Sequence, residues 1–353
     1  LRGPRLRSAD EVRIALRMSV MAMVPRINPR LSSVARGQMV YLDARSPVAE
    51  AYRSIRTSLN LGSSSGARSV LIASPAAGDG KSTTASNLAI AFAQAGQRTL
   101  VIDCDLREPV QHLIFETDGT VGLTSVIAGE APLRDAVRPT RVPGLYILPC
   151  GPVPSNPSEL LAGKRFARLM SSLCARFDRI IIDSPPLTNV ADGRVLAAGA
   201  DATLLVLRMN HSNRRLGELA LDGLQKVGAQ VIGAIANDMP AGHGHHYYGG
   251  SWQYASHVKH LMLPNDGAAN AASSIVQALP HASADANGNE SGHRGGNRNG
   301  HSTSHGHSSG NGNGNGHGPS PTLPGQADDF RVEEPDWSAD LPLVSNAASH
   351  QTV

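Results

Sequence analysis

The chain has 353 residues, of which 41% are hydrophobic and 17% charged, and its formal net charge is +3. That length holds one large domain with extensions or two domains, and so small a charge gives no argument for a nucleic-acid partner. The three cysteines (Cys104, Cys150, Cys174) are odd in number and lack metal-site spacing, so they read as reduced thiols of a cytosolic compartment; no run of 18 apolar residues predicts a membrane span.

The chain starts at Leu1 rather than Met, as a processed product or a piece of a longer chain would. Its first 56 residues carry eleven Arg against four acids, a net +7. A basic start of this kind marks either the cytoplasmic side of a membrane span or a solvated face; residues 1–40 are read as a basic juxtamembrane-like segment. Within it, Ser8-Ala9-Asp10-Glu11 is a capping box that opens a short helix, and Met18 to Val24 is read as an extra strand.

A helix is expected over 47–60. The apolar run Ser69 to Ala73 then reads as a buried strand. It leads into Ser-Pro-Ala-Ala-Gly-Asp-Gly-Lys-Ser-Thr (74–83) and a helix over 81–95, whose Ala85, Leu88, Ala89 and Phe92 fall on one face. Strand, glycine loop, Gly-Lys-Ser and helix together make a nucleotide phosphate site, although Pro75 stands where the strict pattern has Gly. Backbone N–H groups from Gly78 through Asp79, Gly80 and Lys81 to Ser82 would wrap the phosphates of ATP, followed by Thr83. Lys81 would reach the β- and γ-phosphates, and the Ser82 hydroxyl would join Mg²⁺.

Further strands are expected at 99–103, 145–149, 179–183, 203–208 and 230–236, with helices over 158–176, 189–198 and 213–227. The alternation argues a doubly wound α/β fold with a mainly parallel sheet, a P-loop NTPase domain over 41–240. Two strands stop on carboxylates: 99–103 on Asp103-Cys104-Asp105-Leu106-Arg107, and 179–183 on Asp183-Ser184-Pro185-Pro186. Ligands of open parallel sheets bind at such strand ends, where Asp103 and Asp183 are placed to hold Mg²⁺ or its waters. Asp103 or Asp105 would orient an incoming hydroxyl. Arg107 is either a stabiliser of transferred charge or a partner for a nearby carboxylate. Asn237, at the end of the last strand, is either an adenine reader or a turn residue.

Beyond residue 240 the character changes. Twelve of the fourteen His lie at or after His243, amid Gly, Asn and Ser. Residues 241–260 hold three of the six tyrosines, and 261–353 are expected to be a disordered tail, too poor in apolar side chains to offset ordering entropy.

The order D-G-K-S-T, V-I-D-C-D-L-R and I-I-I-D-S-P-P resembles the bacterial tyrosine kinases that control capsule and exopolysaccharide synthesis. The resemblance spans roughly 8–257. Glu50-Ala51-Tyr52-Arg53-Ser54-Ile55-Arg56 is similar to the family's E-x-x-R-x-x-R helix, and 151–161 to its G-x-x-P-x-N-P-x-E-L-L segment. Arg7 to Ile27 looks like the stretch after the family's second membrane helix. Ala77 and Asp79 depart from the family's more usual Pro and Glu. The resemblance implies an autokinase that uses ATP and Mg²⁺ at the cytoplasmic face of the inner membrane. Tyr247, Tyr248 and Tyr254 would be its acceptors, and Glu50, Arg53 and Arg56 would dock the next subunit of a homo-oligomeric ring. A membrane chain-length-determinant or activator region, on the same or a separate chain, and a phosphotyrosine phosphatase are the implied partners; nucleic acid is not. The alternative is a nucleotide-switch ATPase of the partitioning and septum-positioning type, but that group carries a second Lys where this chain has Ala76.

Overall fold

A computed structural model of the chain describes residues 4–61, 66–188 and 190–240. The tyrosine segment 241–260 and the expected tail 261–353 lie outside the described residues. Eight strands form one sheet: β1 (Val20–Pro25), β2 (Ser69–Ala73), β3 (Thr99–Asp103), β4 (Arg138–Pro139), β5 (Leu145–Leu148), β6 (Arg179–Asp183), β7 (Ala202–Arg208) and β8 (Val231–Met239). Their order is β1-β8-β7-β2-β6-β3-β5-β4, parallel throughout except for the antiparallel β4–β5 pair.

β2, β3 and β6 are buried along their whole length, as continuous runs such as Val70-Leu71-Ile72 and Ile180-Ile181-Ile182 require. Apolar side chains cover both faces. On one face Tyr52, Ile55 and Leu59 of helix Pro47–Leu61 meet Leu88 and Phe92 of helix Lys81–Ala93. On the other, Val12 and Leu16 share a core with Leu169, Leu173, Leu196 and Leu224. The sheet is doubly wound, as the sequence predicts.

β6 lies between β2 and β3, with Asp183 in register with both Ile72 and Asp103. Three chain segments far apart in sequence therefore end side by side at one edge. The expected strand at 18–24 is the edge strand β1, paired with β8, so the basic start of the chain is part of the sheet. Helix Ala9–Leu16 begins where the capping box puts it. Ser8 Oγ accepts from Glu11 N at 3.2 Å, but the Glu11 carboxylate accepts from Arg7 N at 2.8 Å.

Two expectations are corrected. The single helix over 158–176 is two, Pro157–Ala162 and Lys164–Arg176, because Gly163 takes an extended conformation (ψ 151°) between them. The last strand continues three residues past 236, which places Asn237 within it rather than after it.

Candidate active site

The phosphate loop turns on two glycines of positive φ, Gly78 (+80°) and Gly80 (+98°). Both are left-handed values that a Cβ would strain. Gly80 caps helix Lys81–Ala93 without a side-chain hydrogen bond, so the helix opens on bare N–H groups. A Cβ on Gly80 would also run into the Asn237 amide.

Lys81, the first residue of that helix, places its Nζ 2.8 Å from Asp105 Oδ2; the two side chains are 13% and 2% exposed. Burial lowers the Lys81 pKa, but Asp183, Asp105 and Asp103 outweigh it, so the ammonium is held above its ordinary range. Asp103 is fully buried. Its Oδ2 accepts from the N–H groups of Val110 and Gln111, both at 2.9 Å, and its Oδ1 from Asp105 N at 3.2 Å. Burial and the neighbouring Asp183 charge push its pKa to about 8. Burial likewise raises Asp183, against the attraction of Lys81. Asp183 Oδ2 accepts from Gln111 Nε2 at 2.9 Å, while its Oδ1 is buried without a hydrogen-bond partner.

One cation thus stands among three carboxylates at the ends of adjacent strands. The buried, unpartnered oxygen of Asp183 and the Ser82 hydroxyl beside it fit a small hard cation that takes its remaining ligands from phosphate and water. Among the described residues no three His, Cys, Asp or Glu side chains converge into a self-sufficient metal site.

Residues 67–235 match the family described as an AAA domain. The chain is 38% identical to tyrosine-protein kinase YwqD of Bacillus subtilis, over 59% of this chain and 88% of that protein. It is 37% identical to the putative tyrosine-protein kinase CapB of Staphylococcus aureus, over 58% and 90%. The solved kinase domain of Escherichia coli tyrosine kinase ETK superposes with a TM-score of 0.61 at 28% identity, covering 69% of this chain and 99% of that one. The chain belongs to the bacterial tyrosine kinase family.

Other residues singled out in this tyrosine kinase sequence fall into place around that centre. Arg107 reaches Asp192, with Nε 2.8 Å from Oδ2; Ser158 also donates to Asp192. The carboxylate partner is the arrangement found. Asn237 donates from Nδ2 to the Asp79 carbonyl at 2.9 Å. It also lines a cavity of about 300 Å³ with Arg26, Ile27, Arg36, Gly78 and Thr83. Glu50 and Arg53 meet at the surface at 3.4 Å, whereas Arg56 turns inward and donates to the Ala91 carbonyl at 3.0 Å. All three nevertheless line one open cavity beside β1. Tyr52 is fully buried, which pushes its phenol up to about 12 and removes it as an acceptor. Tyr247, Tyr248 and Tyr254 lie outside the described residues.

Gln111 carries no motif and was missed by sequence reasoning. It is fully buried, and its amide donates both to Asp183 and to the Ser82 carbonyl at 3.1 Å. The only hint in the sequence is its place eight residues after Asp103, at the start of a short helix. Among the described residues no helix is long and apolar enough to cross a membrane.

Proposed function

We propose that this chain is a tyrosine autokinase that transfers the γ-phosphoryl group of Mg-ATP to Tyr247, Tyr248 and Tyr254 of a neighbouring subunit. In this role it regulates polymerisation and export of extracellular polysaccharide at the cytoplasmic face of the inner membrane. One observation carries the reading: Lys81, at the mouth of the phosphate loop, stands 2.8 Å from Asp105 and within the field of Asp103 and Asp183.

Phosphoryl transfer needs positioning and charge neutralisation more than covalent help. Lys81 is the mobile positive charge. On turning from Asp105 to the β- and γ-phosphates it leaves Asp105 Oδ2 free to take the phenolic proton. A phenol of pKa ~10 yields its proton only to a base held close, so an acceptor tyrosine would have to come within hydrogen-bond reach of Asp105. Ser82 and Asp183 would hold Mg²⁺, which supplies neutralisation of the phosphate charge. Asp103, whose oxygens already accept three backbone N–H groups, keeps the 103–111 turn in shape beside the cation site.

Replacing Tyr247, Tyr248 and Tyr254 together with Phe should remove most of the phosphotyrosine formed in Mg-ATP and leave ATP binding unchanged. Phosphate found by mass spectrometry mainly on Tyr41 or Tyr146 of the parent would overturn the acceptor assignment.

Assembly into a ring is part of the same proposal, with a membrane activator region and a phosphatase completing the cycle. Several phosphates of −1.5 to −2 charges each would crowd the subunit contacts and loosen them. The Glu50–Arg53 pair is solvent-facing and worth only a few tenths of a kcal/mol to the fold, so it is available for a neighbour. Glu50→Ala with Arg53→Ala should therefore give a stable monomer with weak autophosphorylation. Arg56→Ala should in addition lower the melting temperature, since it removes the bond to Ala91. A double variant with the parent's mass by light scattering and the parent's phosphotyrosine would defeat the ring.

A further inference from the structure

We infer that Ser212 is a positioning residue for the phosphate loop, acting from behind through the buried carboxylate of Asp79; the inference rests on the reading of this loop as a nucleotide site. Asp79 sits between the two positive-φ glycines and is fully buried, its carboxylate turned into the protein and away from the mouth of the loop. Its Oδ2 accepts from Ala76 N at 3.1 Å, a bond within the loop. Its Oδ1 accepts from Ser212 Oγ at 2.7 Å and lies 3.3 Å from His211 Nδ1.

Ser212 is itself buried, and its hydroxyl has a fixed direction. It donates to Asp79 and accepts from Arg208 N at 2.7 Å, while Ser212 N donates back to the Arg208 carbonyl at 2.8 Å. The same turn sends out Arg208, whose Nη1 donates to the Gly78 carbonyl at 3.3 Å and whose Nε meets Asp238 at 2.9 Å. Asp238 is shared with Arg26 of the chain just after β1, at 2.7 Å. Asn237 holds the next carbonyl, that of Asp79.

The ends of β7 and β8 therefore grip two successive carbonyls of the loop and the side chain between them. In a trans peptide the C=O and the following N–H point in opposite directions. Holding the Gly78 and Asp79 carbonyls back against 208–237 aims the N–H groups of Asp79 and Gly80 the other way, into the concave side where phosphate would lie. Residues 4–6 brace the turn from outside. Leu6 N donates to the Ser212 carbonyl at 3.0 Å, Asn210 N to the Leu6 carbonyl at 2.7 Å, and Arg214 N to the Pro4 carbonyl at 3.0 Å.

The test is calorimetric binding of Mg-ADP and Mg-ATP to the full chain, alongside the ATP dependence of phosphotyrosine formation. Ser212→Ala leaves Asp79 Oδ1 and Arg208 N short of a partner. Its nucleotide dissociation constants should rise roughly ten- to a hundredfold, and the half-saturating ATP concentration should rise with them, while the limiting rate stays within about threefold. Because Ser212 acts chiefly through Asp79 and otherwise through its bond to Arg208 N, Ser212→Ala and Asp79→Ala together should weaken binding by much less than the product of the two single losses. Unchanged binding in folded Ser212→Ala, or losses that multiply in the double variant, would overturn the inference. If Ser212→Ala does not fold, Ser212→Cys, which keeps nearly the size of the side chain and weakens its bond to Asp79, carries the test; several-fold weaker binding supports the inference and parental binding overturns it. A parent that binds neither nucleotide overturns the nucleotide reading and this inference together.

Discussion

Lys81→Met should abolish tyrosine phosphorylation, by 10³-fold or more, in a protein that still folds. The size follows from removing a buried positive charge from the point where transferred charge develops. Methionine keeps the length and apolar stem of lysine and suits the first turn of helix Lys81–Ala93. What it cannot keep is the cation facing Asp105, Asp183 and Asp103. Without Lys81 those groups repel one another in a dry site, so the variant should take up protons and lose some stability rather than unfold. Phosphotyrosine after incubation with Mg-ATP, beside a circular dichroism spectrum, makes the measurement. A folded variant with parental signal would remove Lys81 from the mechanism.

Asp103→Asn should also lose phosphorylation by orders of magnitude, yet its stability should respond to pH in the opposite sense to that of an ordinary carboxylate deletion. The Asp103 pKa rises to about 8 in the folded chain, first through burial and then through Asp183, against an unfolded value of about 3.9. Between those values the folded state holds the proton more tightly than the unfolded state does. The contribution of this group to stability is thus full below pH ~4 and is lost as pH rises towards 8. Asparagine does not titrate and escapes that loss, although it gives up the acceptor for Asp105 N. Relative to the nucleotide-free parent, the melting temperature of Asp103→Asn should climb by several degrees between pH 5 and pH 8. A constant offset across that range would mean that the Asp103 carboxylate is already ionised at low pH.

The sheet was legible because its central strands are uninterrupted apolar runs closed by charged or glycine-rich turns. Ile180-Ile181-Ile182-Asp183 and Ser69 to Ala73 admit few other readings, and both lie where expected. The phosphate loop was legible for the same reason, since Gly78, Gly80 and Lys81 are residue types that the backbone there demands. The short helices Ser33–Gly37, Met39–Leu42 and Gln111–Ile114 were not legible, because four or five residues cannot display a helical period. Gln111 and Ser212 were missed together with them: each acts through a contact more than 70 residues away, with Asp183 and Asp79 respectively. Arg56 shows the limit of helical spacing, which places it with Glu50 and Arg53 but cannot say that helix Lys81–Ala93 offers it a carbonyl.

The position of β6 between β2 and β3 sets a timetable. A growing chain that has emerged only as far as helix Lys164–Arg176 has the phosphate loop and Asp103, but the slot between their strands is still empty. Nothing local fills it, because each of the three strands pairs with partners tens of residues or more distant. The loss of chain entropy falls before the rewarding contacts form, which makes parallel sheets of this kind slow to close. The carboxylates that shape the site come together only in that late step, and β1 waits longer still for β8, more than 200 residues downstream. A ribosome-bound or truncated chain that stops short of β6 therefore has the phosphate loop and Asp103 without Asp183 between them, and β7 and β8 must still follow before Arg208, Ser212 and Asn237 can hold the loop from its far side.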